Sequence, residues 1–170
     1  ITVTVTDQTA PVIVSASGVT LEATGPGGYS GTVDEVIAAI VVSDNVDTAP
    51  VVALADGVDG NFPLGPTDVS VTVTDAADNS SSGTVPVTVV DTTAPSFSGA
   101  NQLVLTVDTE VPVASSDERV SAWLAGVSAT DLVSGETEFS NSTLPAEFPV
   151  GSTTTTFTST DAATTTATHD

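Results

Sequence analysis

A chain of 170 residues with 22 acidic side chains, a single basic one (Arg119) and a formal net charge of −21 has no cationic surface with which to grip a polyanion. That excludes nucleic-acid binding through phosphates and docking on anionic lipid, and no apolar run approaches the ~20 residues of a membrane span, so membrane insertion is excluded too. Apolar residues make up 39% of the chain and mean hydropathy is +0.28, enough to bury a core, so the charge does not imply disorder.

Thr and Val together supply about a third of the residues while aromatics are 4%, the composition of pleated, half-buried strands, so helices are expected to be scarce. With neither Cys nor Met there is no disulfide, thiolate site or thiol chemistry, and bound cations become the candidate brace for a small domain working outside the cell. The chain opens at Ile1 without an initiator Met or signal peptide, which reads as an excised or mature segment whose export signal lies elsewhere.

In chain order, ITVTVTD at 1–7 alternates apolar and polar residues and predicts a strand with one buried face. Strands follow near 11–16, 19–23, 36–43, 50–55, 60–64, 68–75 and 84–90, separated by turn signals GPGG at 25–28 and DGVDGN at 56–61. Seven short strands at this spacing predict an immunoglobulin-like β-sandwich. Beyond residue 91, LVLTVD at 103–108 reads as a strand and SGE at 134–136 as a turn. The segment SSDERVSAWLAG at 115–126 offers a capping box at Ser115 and Glu118, but a strand is favoured there, and Trp123 reads as core packing.

Repeats dominate the organisation. FPLGPTDVSVTVTDAADN at 62–79 recurs as FPVGSTTTTFTSTDAATT at 148–165, an offset of 86, and DQTAP at 7–11 recurs as DTTAP at 91–95, an offset of 84. The expected organisation is all-β: tandem immunoglobulin-like sandwiches, with residues 1–7 a closing strand, 8–91 the first domain and 92–170 the second. Asp75 precedes Asp91 by 16 residues with a strand between them, and Asp161 followed through Asp170 and then Ile1 reaches Asp7 after the same 16. The sequence therefore reads as one period of a longer array in which the second domain takes its last strand from residues 1–7 of the next repeat or of a neighbouring chain. Ile1, Val3 and Val5 are the donated apolar face. A continuous giant polypeptide is favoured over donation between separate chains.

TAP at 9–11, LEATGPGG at 21–28, SDNVD at 43–47, FPLG at 62–65, TDAADN at 74–79 and the closing VTVVDTTAP occur in order through the first module. In these motifs it resembles hyalin-type (HYR) repeats and related bacterial immunoglobulin-like repeats of cell-surface proteins. The second module keeps TAP, FPVG and TDAA but lacks the glycine-rich turn and carries DLVSGE in place of DNVD. The resemblance implies an extracellular, tandem, adhesive or structural module, without the cysteine pair of animal members.

In such a sandwich the loop after the second strand, the loop before the last strand and the incoming linker share one pole. There the first module places Asp44, Asn45 and Asp47, then Asp75, Asp78 and Asn79, and Asp7. Oxygen donors from three segments suit a hard cation such as Ca²⁺, whereas bare carboxylates crowded together repel. Asp and Asn are also ordinary turn formers; the cluster, the charge and the missing disulfides favour calcium. The second module offers a thinner set, Asp91, Asp131, Glu136 and Asp161, with Thr164 and Thr165 where Asp78 and Asn79 stand in the first.

Enzymatic chemistry is not expected. The single histidine, His169, lies in a Thr-rich stretch, Asp34 and Glu35 are strand neighbours pointing to opposite faces, and GPGG lacks the lysine of a phosphate loop. Sequons at Asn79 and Asn141 and the Thr runs permit glycosylation. The function expected is a structural repeat of an extracellular fibre or adhesin stalk, stiffened by calcium at its junctions and assembling head to tail with copies of itself; the alternative is a carbohydrate- or surface-binding module.

Overall fold

A computed structural model of the chain describes all residues except 57, 100, 108–110 and 142–143. The protein is all-β, 42% strand and 7% helix, and divides into two compact units, Ile1–Asp91 and Thr92–Asp170.

The first unit comprises β1 (Val12–Ala16), β2 (Val19–Glu22), β3 (Tyr29–Ser30), α1 (Asp34–Ala38), β4 (Ile40–Ser43), β5 (Val51–Leu54), β6 (Asn61–Phe62), β7 (Gly65–Thr74) and β8 (Ser80–Val90). Its main sheet runs β2-β8-β7-β5, with β2 parallel to β8 and the other pairs antiparallel. The β7–β8 hairpin carries the strict alternation of its sequence: Val69, Val71 and Val73 face one way with Val85, Val87 and Val89, each at most 3% exposed. Fully burying a valine is worth about 1.5 kcal/mol or more, so this double row anchors the unit. Pro86 lies one residue before the parallel ladder with β2 begins at Val87, so its missing N–H takes nothing from that ladder. β1 pairs with β4, and β3 with β6, giving a set of sheets compatible with an immunoglobulin-like sandwich. Gly28, at φ 104°, brings the turn after β2 so close to β6 that a Cβ would stand 2.2 Å from the Phe62 carbonyl oxygen.

The second unit comprises β9 (Ser96–Ser98), β10 (Val113–Ala114), α2 (Glu118–Leu124), β11 (Ser128–Asp131), β12 (Gly135–Thr137), β13 (Phe139–Ser140), β14 (Glu147–Phe148), β15 (Phe157–Thr160) and β16 (Thr166–His169). Its sheets are β12-β11-β9, β13-β15-β16 and β10-β14. Pairings recur between the units residue by residue: Ile13 faces Val42 as Phe97 faces Ala129, Tyr29 faces Phe62 as Val113 faces Phe148, and Val52 faces Val73 as Phe139 faces Ser159. Val36 of α1 and Val120 of α2, 0% and 1% exposed, fill equivalent core positions.

Four expectations are corrected. The strand expected over 36–43 begins with α1, whose acidic first turn, Asp34 and Glu35, suits the positive end of a helix while Val36 turns inward. The strand favoured over 115–126 is α2, capped by Asp117, which accepts the Arg119 N–H at 2.9 Å; Ser115 and Glu118 do not form the cap. Residues 103–107 form no strand, residue 108 lying outside the described residues, and residues 1–6 form none either, with Ile1, Val3 and Val5 exposed. The sequon at Asn141 and the turn at 56–61 both extend into residues outside those described.

Candidate metal centres

The first centre is built by three short loops. After β4, Asp44 closes an Asx turn: its Oδ1 accepts the N–H groups of Val46 (2.9 Å) and Asp47 (2.8 Å). Those two bonds, Asp47 first, hold the Asp44 carboxyl below the usual range. Its other oxygen, Oδ2, is buried with no hydrogen-bond partner. After β7, Asp75 is 6% exposed; its Oδ1 accepts the N–H groups of Ala77 and Asn79, and its Oδ2 accepts the Asn79 amide, all at 2.8 Å. The turn is tightened by Asp78, at φ 68°, whose N–H reaches the Asp75 carbonyl oxygen. The third group is Asp7, placed by buried Pro11 and by the Asn79 amide, which donates to the Asp7 carbonyl oxygen at 3.4 Å.

Asp7, Asp44 and Asp75 each offer a carboxylate oxygen, all within 4.8 Å of one another. Two ligands on opposite sides of a calcium ion stand about 4.6–5.2 Å apart, so one cation can touch all three. Asp47 lies outside this trio and staples two loops together, its Oδ2 accepting the Ala76 N–H at 3.0 Å and its Oδ1 that of Ala49. Asn79 and Asp78 shape the turn, and Asn45 is exposed outside the trio.

The second centre repeats the first with substituted parts. Asp131 Oδ1 accepts the N–H groups of Val133 and Ser134 at 2.8 Å, while Asp131 Oδ2 is buried without a partner in a residue only 7% exposed. Ser134 stands where Asp47 does, its hydroxyl accepting the Ala162 N–H at 3.2 Å. Thr165 stands where Asn79 does: its N–H and hydroxyl both donate to Asp161, and the hydroxyl bond is the main reason the Asp161 carboxyl lies below its ordinary value. Thr164 adopts φ 71°, the counterpart of Asp78. Asp91, Asp131 and Asp161 bring carboxylate oxygens within 4.8 Å of one another. Glu136 lies elsewhere, on β12 opposite Thr130. The sequence signal for this shared plan is an acid followed three residues later by a side chain able to accept a backbone N–H, Asp44 with Asp47 and Asp131 with Ser134.

Two groups of three carboxylates can thus hold a metal ion, and the donors are all oxygen, which suits calcium, magnesium or manganese. His169 stacks on Phe97 at 5.5 Å between centroids, and Trp123 packs edge-on against Phe157 at 5.9 Å. Every described aromatic ring is buried or half-buried. No described helix is long and apolar enough to cross a membrane. No family model matches the chain, and no curated protein matches it.

Proposed function

We propose that this chain is a structural repeat unit of an extracellular fibre or adhesin stalk, in which a calcium ion fastens the incoming segment of each module to that module's own loops. The observation that carries the reading is the twin orphan oxygens. Asp44 Oδ2 and Asp131 Oδ2 occupy equivalent turns, both buried, both lacking a hydrogen bond and both beside two further carboxylates. A buried carboxylate oxygen without a donor costs stability unless a cation meets it, and two independent occurrences of the same arrangement point to a common ligand. The resemblance to hyalin-type and bacterial immunoglobulin-like surface repeats and the net charge of −21 support an extracellular setting rich in calcium, where weak sites suffice.

Mechanically, an ion shared by Asp7, Asp44 and Asp75 converts a pivoting peptide into a pinned one, so a string of modules behaves as a rod. Titration calorimetry with calcium, with magnesium as comparator, tests the ion: two sites per chain with sub-millimolar to millimolar affinity are expected. Absence of calcium heat at millimolar protein and ion refutes it.

A further inference from the structure

The two carboxylate centres share a plan but not a charge. In each, an aspartate closing a turn gives one oxygen to backbone N–H groups and keeps the other buried without a partner: Asp44 Oδ2 in the first unit, and Asp131 Oδ2 in the second, where the whole residue is only 7% exposed. In each, a second aspartate, Asp75 or Asp161, is 6% exposed and is held by the residue four places on, Asn79 or Thr165. A buried carboxylate oxygen with no donor is the shared mark of a cation site. Around it the two centres differ at two further positions, and both differences put more negative charge in the first unit.

The first position is the staple between loops. Asp47 Oδ2 accepts the Ala76 N–H at 3.0 Å, tying the loop after β4 to the loop after β7, and Asp47 Oδ1 accepts the Ala49 N–H at 2.8 Å. In the second unit the Ser134 hydroxyl accepts the Ala162 N–H at 3.2 Å and makes the same tie without a charge. A neutral side chain therefore suffices to close these loops, and the charge of Asp47 is surplus to that task. Asp47 stands against both ligand loops, its own N–H bound to Asp44 Oδ1 at 2.8 Å and its carboxylate bound to the residue after Asp75, yet it lies outside the trio of Asp7, Asp44 and Asp75. The second position is the left-handed residue of the turn, exposed Asp78 at φ 68° in the first unit and exposed Thr164 at φ 71° in the second.

We propose that the two centres are graded: calcium fills the centre of the first unit before that of the second, and Asp47 sets the order, acting on the ion through space as a charge that does not ligate it. Grading of this kind rests on the calcium reading of both centres and adds their order of filling. Affinity in oxygen-ligand sites follows the negative charge gathered around the ion. A unit charge one loop away from a divalent cation, at a solvent-like dielectric and in dilute salt, shifts affinity by about three- to tenfold. With Asp78 adding a smaller, more screened share, the first centre binds about tenfold more tightly than the second. As calcium rises, the incoming segment of the first unit is pinned over a range of concentration in which the second unit is still loose, so stiffness arrives in two steps.

Titration calorimetry with calcium in buffer of about 0.02 M ionic strength tests the order on the full 170-residue protein. Asp131→Asn leaves the first centre to be read alone and Asp44→Asn leaves the second; the first is expected to bind about tenfold more tightly. Added to the former, Asp47→Ser should weaken binding about three- to tenfold, and added to the latter, Ser134→Asp should strengthen it by a similar factor. Asp47→Asn, which keeps an acceptor oxygen for the staple, should match Asp47→Ser, and unfolding in chelator shows that each variant is folded. In about 0.5 M salt both effects should shrink toward unity, because screening weakens a remote charge. Equal affinities at the two centres, a tighter second centre, or no effect of either Asp47 substitution would overturn the grading, as would a loss of a hundredfold or more that persists in salt, which would make Asp47 a ligand. Absence of calcium binding at both centres would instead refute the calcium reading, and the grading with it.

Discussion

If the two carboxylate groups hold calcium, as proposed, its removal has a calculable effect. Sites in extracellular modules bind calcium with Kd of about 0.1–1 mM, so at about 10 mM free ion each occupied centre stabilises its unit by RT ln(1 + [L]/Kd), about 1.4–2.7 kcal/mol. Units the size of Ile1–Asp91 and Thr92–Asp170 gain about 4–8 °C per kcal/mol, so chelation should lower each melting transition by roughly 6–20 °C. Asp131→Asn sharpens the test because its sign depends on the ion. The amide oxygen still accepts from Val133 and Ser134, while the amide nitrogen takes the place of the orphan Oδ2, where it donates to neighbouring carboxylates in place of adding a third like charge. In chelator the variant should therefore melt above the wild type in its second transition, and in calcium it should lose most of the increment. Asp44→Asn should act in the same way on the first unit only. Scanning calorimetry of wild type and both variants, with calcium and with chelator, reads all of this. An increment unchanged by either substitution, or a variant that melts below the wild type in chelator, refutes the reasoning.

The calcium increment should vanish as the pH falls below about 4, since protonated carboxylates release the ion. In chelator, the Asp44 and Asp161 carboxyls, held below the ordinary 3.8 by hydrogen bonds, contribute stability that is full above that value and is lost as pH falls through their folded pKa, so melting temperatures measured from pH 7 to 2 should decline only at the acid end. Thr164→Asn, which relieves a β-branched residue at φ 71°, should stabilise the second unit by about 0.5–1 kcal/mol in urea unfolding; a loss of stability would show that the hydroxyl of Thr164 matters more than its backbone. Trypsin has one target, Arg119, in the first turn of α2 with its guanidinium bound to Asp117 at 2.9 Å. The native protein should persist while the urea-unfolded chain yields two fragments, and rapid native cleavage would contradict the helix.

The sheet architecture was largely legible because period-two alternation survives wherever a strand has both a buried face and a neighbour. GPTDVSVTVT and SSSGTVPVTVV show it and form β7 and β8. LVLTVD and ITVTVTD show it equally well and form no strand among their described residues, since alternation reports the capacity to pair while a partner decides the outcome. The two helices were missed for a local reason: five and seven residues are too short to display a helical period, and α1 was hidden among β-branched neighbours. At the metal centres, Asp7, Asp44, Asp75 and their counterparts could be placed by homology of loops within the chain itself. The roles of Asp47, Asn79, Ser134 and Thr165 could not, because whether a polar side chain faces an ion or ties down an N–H depends on loop conformation that spacing alone does not set.

The parallel pairing of β2 with β8 decides how a module bears load. When the chain is stretched from its incoming and outgoing segments, β2 is drawn toward its N-terminal end and β8 toward its C-terminal end, in opposite directions along a common axis. The bonds between Val19–Glu22 and Val87–Val90 are then loaded together, sideways to the pull, and yield only as a group. An antiparallel hairpin pulled at its open end surrenders its bonds one at a time. Tension drawn along the chain would thus load this pair in shear once β1, paired antiparallel with β4, has given way.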